Sequence, residues 1–66
     1  MGGTLRWYWL DGEGAYQAID CRSEVAARTL ANALVLASER SIWKFQYLFV
    51  EADYTESVVE WGADEA

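Results

Sequence analysis

Residues 4–10 (TLRWYWL) alternate, with Leu5, Trp7 and Trp9 on one side and Arg6, Tyr8 and Leu10 on the other. A two-residue period rich in aromatics predicts a strand. Asp11-Gly12-Glu13-Gly14 follows, and two glycines in four residues suit a tight reversal because glycine takes positive φ without a Cβ clash. Residues 15–21 (AYQAIDC) then predict the returning strand of a hairpin. Its sides are Tyr16, Ala18 and Asp20 against Ala15, Gln17, Ile19 and Cys21.

The period changes at Ser23, a good N-cap, with Glu24 placed to complement the helix dipole. A helix is predicted from there to about Arg40, with Ala26, Leu30, Ala33, Leu34 and Ala37 forming the apolar stripe. Glu24, Arg28, Asn32 and Glu39 lie opposite, Glu24 and Arg28 are spaced for an i,i+4 pair, and Arg40 falls in the last turn. Residues 42–51 (IWKFQYLFVE) carry apolar groups on both sides, which predicts a central strand. Glu51-Ala52-Asp53 turns the chain, residues 54–61 (YTESVVEW) alternate again, and a frayed acidic tail is expected from Gly62. The order β-β-α-β-β predicts a small single α+β domain over residues 1–66, an antiparallel sheet with one helix packed on one face. One helix cannot cover four strands, so some Trp or Tyr is expected on the open face.

At 66 residues the chain is near the lower size limit for a core without metal or disulfides, and Cys21 is its only cysteine. With 53% hydrophobic and 15% aromatic residues, the core can still be dense enough to offset chain entropy. Met1-Gly2-Gly3 has neither the basic nor the apolar run of a secretory signal, Arg6 breaks the myristoylation pattern, and no apolar run is long enough to span a bilayer. A cytoplasmic protein is expected.

Histidine is absent, which removes the usual general base, the usual metal ligand and the physiological pH switch. Cys21, with no histidine to activate it, reads as a small apolar residue. Asp11-Gly12-Glu13-Gly14 has too few carboxylates for a calcium loop. Glu56 and Glu60 share a strand side at about 13 Å, beyond the separation glycosidases use. No catalytic residue, cofactor or metal is expected, and the chain is read as non-enzymatic.

Charge is unevenly placed. Residues 1–50 hold five acids and five bases, whereas the last sixteen residues (EADYTESVVEWGADEA) hold Glu51, Asp53, Glu56, Glu60, Asp64 and Glu65 with no base. The whole net charge of −6 therefore sits in the C-terminal quarter, and the pI is near 4.3. Direct nucleic-acid binding is disfavoured, and basic partners are favoured. Acids on a strand edge can prevent sheet-to-sheet aggregation, but lysine would serve equally and none is present in this segment. A row of carboxylates at strand spacing also presents charge on a length scale like that of nucleic-acid phosphates.

In size, element order and the acidic segment EADYTESVVEWGADEA, the chain resembles the small phage-encoded anti-CRISPR proteins. The resemblance implies an inhibitor in the host bacterial cytoplasm that blocks target DNA from a type I Cascade-like effector by mimicking DNA charge. Its partner would be a Lys/Arg-lined effector subunit, and its partner-binding residues Glu51, Asp53, Glu56, Glu60, Asp64 and Glu65. A monomer is expected on this reading. Two alternatives remain open: an assembly module pairing through its aromatic sheet face or a strand edge, and an antitoxin-like regulator of a basic partner.

Overall fold

Two hairpins and a helix account for almost all of the computed structural model, which describes residues 2–12 and 14–65. Strand β1 (Gly3–Trp9) reverses into β2 (Tyr16–Cys21), helix α1 (Glu24–Ala37) follows, and β3 (Ile42–Val50) turns back as β4 (Glu56–Gly62). A one-turn 3-10 helix, Ala63–Glu65, completes the described chain. The sheet order is β2-β1-β3-β4 with every neighbouring pair antiparallel. Since β2 and β3 both run against β1, they are parallel to each other. A helical crossover is the usual way to join such strands. The result is the predicted small α+β domain, with β3 an inner strand and β2 and β4 the two edges.

Alternation decides which side chains meet the helix. Leu5 and Trp7 of β1, Phe45, Tyr47 and Phe49 of β3, and Val59 and Trp61 of β4 share the covered face. Phe45 stacks on Trp61 with ring centroids 5.6 Å apart, and Tyr47 stacks on Phe49 at 5.4 Å. Gly3 makes room for this layer, because a Cβ there would lie 2.8 Å from the Tyr47 ring.

The helix meets the rings through a different stripe from the one predicted. Leu30 and Leu34 do pack on the core, but the contact is centred on the fully buried Ala27 and Ala31, while Ala33 and Ala37 are exposed. Bulky rings below favour the smallest side chains above them. Apolar counting could not rank the faces, since Val25 and Leu36 are also apolar yet 76% and 88% exposed.

Helix termini follow local chemistry. The Ser23 hydroxyl accepts from the Ala26 N–H at 3.1 Å, as an N-cap should. Glu24 and Arg28 form the expected pair at 3.1 Å, and the Arg28 guanidinium also lies 4.2 Å over the Trp61 ring. The helix ends at Ala37, because Ser38 is extended and its N–H closes on the Leu34 carbonyl at 2.9 Å. Arg40 is therefore beyond the last turn, contrary to expectation. It pairs with Asp11 at 2.9 Å and stacks 4.0 Å over Trp9, tying the α1–β3 link to the first hairpin.

Two further boundaries differ. Residues 54 and 55 belong to the turn and not to the last strand, which begins at Glu56. The tail expected to fray from Gly62 begins with the end of β4 and continues as the 3-10 helix, where Ala63 packs against the core and the Glu65 carboxylate accepts from the Gly62 N–H at 3.1 Å. Ala66 lies outside the described residues.

Candidate functional site

The six acids do not form one stripe. Glu51, Asp53 and Glu56 gather at the β3–β4 turn, while Asp64 and Glu65 lie past the far end of β4, about 20 Å away along a seven-residue strand. Glu56 and Glu60 share the open face of the edge strand β4, as alternation requires, opposite Val50 and Gln46 of β3. Their surroundings differ sharply.

Glu60 is engaged within the protein. Its carboxylate accepts from the Gln46 amide at 2.5 Å and from Lys44 at 3.3 Å, and these donors hold its pKa below the ordinary value. Gln46 in turn accepts from Arg6 at 2.7 Å and from the Tyr8 hydroxyl at 3.0 Å. The open face thus carries a polar network across β1, β3 and β4, with Tyr8 and Tyr16 as its aromatics. Arg6 lies 5.9 and 5.2 Å from their ring centroids, and it has no carboxylate partner among the described residues. The aromatic residues expected on this face are present, but the network was not read from the sequence. The alternation of Arg6, Lys44, Gln46 and Glu60 onto one face was the available signal.

The turn is built around Asp53. Its carboxylate accepts from the Thr55 N–H at 3.1 Å and from the Thr55 hydroxyl, which depresses its pKa. The Glu51 N–H donates to the Thr55 carbonyl at 2.8 Å, and the Tyr54 N–H to the Glu51 carbonyl at 2.9 Å. This closes the loop with Tyr54 at φ 67°, in the left-handed region, the residue 89% exposed. A bulky residue is rare there. Sequence reasoning placed Tyr54 in a strand; the Asp-x-Thr spacing, typical of a side chain bonding two residues on, was the signal for a turn.

Beside this turn an open cleft is lined by Ser23, Glu24, Tyr47, Phe49, Val50 and Glu51. It combines an apolar floor with two carboxylates. The Glu51 and Glu56 carboxylates make no ion pair among the described residues, so both are available to an outside cation.

Other candidates resolve simply. Burial raises the Cys21 pKa, so the thiol stays protonated. In Asp11-Gly12-Glu13-Gly14, Asp11 serves Arg40, Gly14 takes φ 71°, and Glu13 lies outside the described residues. Among the described residues no group of three or more His, Cys, Asp or Glu could hold a metal, and no helix is long and apolar enough to cross a membrane. Comparison with known proteins finds no matching family model, no matching curated protein and no matching solved structure.

Proposed function

We propose that this protein is a non-enzymatic inhibitor that seats its β3–β4 turn on a basic surface of a nucleic-acid-binding protein, a type I CRISPR effector subunit being the partner that the resemblance implies. The observation that carries this reading is Tyr54. A tyrosine held almost fully exposed, in a backbone region that costs ~1–3 kcal/mol for such a residue, stands among Glu51, Asp53 and Glu56. Interfaces of this kind combine an aromatic anchor with charges that steer the encounter. The adjoining cleft suits a lysine or arginine side chain, whose apolar stem would lie on Phe49 and Val50 and whose head would meet Glu51.

The six-acid stripe is accordingly narrowed to the turn. Glu60 is occupied by Gln46 and Lys44, and Asp64 and Glu65 stand at the opposite end of β4. The test is a mobility-shift assay of a purified type I effector complex on its target DNA. Added protein is expected to abolish the shift at low salt, and the double variant Glu51→Lys/Glu56→Lys to restore it while remaining folded. A charge-reversed variant that inhibits as well as the parent, or DNA binding unaffected by the parent protein, sinks the proposal.

A further inference from the structure

The two edges of the sheet are unlike. β4 carries Glu56 and Glu60, and acids on an edge repel an approaching strand. β2 carries one charge, Asp20, and five of its six residues are exposed. No strand pairs with its outer side among the described residues.

The register states what that outer side offers. Trp9 N–H donates to the Ala15 carbonyl at 3.4 Å, so the odd-numbered residues of this strand direct their backbone groups at β1. Tyr16, Ala18 and Asp20 therefore direct theirs outward. An antiparallel two-fold pairing centred on Ala18 matches this spacing: Ala18 meets Ala18 of a second copy, and each Tyr16 meets the other's Asp20. Every outward N–H and C=O of the three residues would then be paired. The match needs no sequence other than this one, which makes the edge self-complementary.

Charge favours the same occupant. β4 lies three strand spacings from β2, about 14 Å, and the Debye length at physiological salt is about 8 Å. Pairing through β2 places the two acidic turns at opposite outer rims of an eight-stranded sheet. Self-repulsion of two copies at −6 each is thereby screened. Asp20 of the second copy would also stand across from Tyr16, whose ring already lies under the Arg6 guanidinium. That supplies a carboxylate to a cation that has none among the described residues of its own chain.

We infer that β2 is a homodimerisation edge, pairing with β2 of a second copy through Tyr16, Ala18 and Asp20. This departs from the monomer that the resemblance implies. This inference is independent of the proposed inhibitor function, since it uses the opposite edge.

Sedimentation of the full chain is the test, from about 10 μM to about 1 mM, the range suited to an interface at the small end of the size scale. The mass is expected to rise from 7.5 kDa toward twice that value. Ala18→Pro removes an outward N–H but no bond to β1, so it should return the protein to a monomer with its circular dichroism unchanged. Amide exchange in the unaltered protein is read alongside, in case the proline variant fails to fold. The Tyr16, Ala18 and Asp20 amides should exchange at least about tenfold more slowly in concentrated than in dilute samples. A single-chain mass at every concentration overturns the inference. So does a dimer that survives Ala18→Pro, or exchange at these three amides that ignores concentration.

Discussion

The first hairpin, β1–β2, and the second, β3–β4, have the same topology but are held by different forces. β4 sends Trp61 and Val59 into the core, so its place is fixed by packing. β2 sends only Cys21 to the core's margin and leaves Ile19 half exposed, so it is held chiefly by its backbone bonds to β1. The turns differ in the same sense. Each contains a left-handed residue, but the first uses Gly14, which accepts that conformation freely, and the second uses Tyr54, which does not. Local chemistry and structure agree in the first hairpin. In the second they conflict at one residue, and packing elsewhere in the hairpin overrides the conflict.

The largest effect should come from breaking the packed member of the pair. Trp61→Ala removes a buried ring that stacks on Phe45 and lies under Arg28. Such a truncation costs about 3–5 kcal/mol, against the ~5–15 kcal/mol that holds a domain together. Ile19→Ala in β2 should cost about 1 kcal/mol or less, because that residue is already about half in water. Denaturant melts of the two variants give the ratio directly. Equal losses would mean that β2 packs as β4 does.

A smaller and graded effect is expected in acid. Asp11 is held below its ordinary value of 3.8 by Arg40, Asp53 below 3.8 by Thr55, and Glu60 below 4.5 by Gln46 and then Lys44. A depressed folded-state pKa contributes stability that is fully present above the unfolded-state value and is lost as pH falls through the folded one. Thermal midpoints should therefore be insensitive to these groups above about pH 5 and decline below about pH 4.5. All three carboxylates are exposed, so solvent screens the loss. Two of them belong to the second hairpin and one to the first. The double variant Asp53→Asn/Glu60→Gln should consequently flatten the acid decline more than Asp11→Asn does; the reverse order would put the acid-sensitive contacts in the wrong hairpin.

The sequence made the fold legible where a single rule acted alone. Ser23 announced the helix start, the apolar groups on both sides of residues 42–51 announced an inner strand, and two glycines announced the first turn. It was misleading where two rules competed. The helix offers apolar residues on more than one face, and the choice of Ala27 and Ala31 over Ala33 and Ala37 depends on rings that only the folded sheet brings together. The acids looked continuous because they are contiguous in sequence. Folding divides them, since β4 is long enough to carry Asp64 and Glu65 away from Glu51, and since Gln46 and Lys44, distant in sequence, claim Glu60. Tyr54 was hidden by its own type: an aromatic next to an alternating run looks like a strand residue.

The smallest expected changes are exchanges at the two turns, and they test the contrast most directly. Gly14→Ala puts a Cβ on a residue at φ 71°, and although the surrounding space is open it should destabilise by about 1 kcal/mol through backbone strain alone. Tyr54→Gly relieves the same strain at φ 67° and should be neutral or stabilising by up to about 1 kcal/mol, despite the greater flexibility it gives the unfolded chain. Opposite signs in melts of the two variants would confirm that the second turn retains a residue its backbone disfavours. The functional proposal adds a further requirement, because a more stable Tyr54→Gly protein should inhibit less well. A variant that gains stability and keeps full inhibition would make Tyr54 an accident of the turn, leaving the acids to act without an anchor.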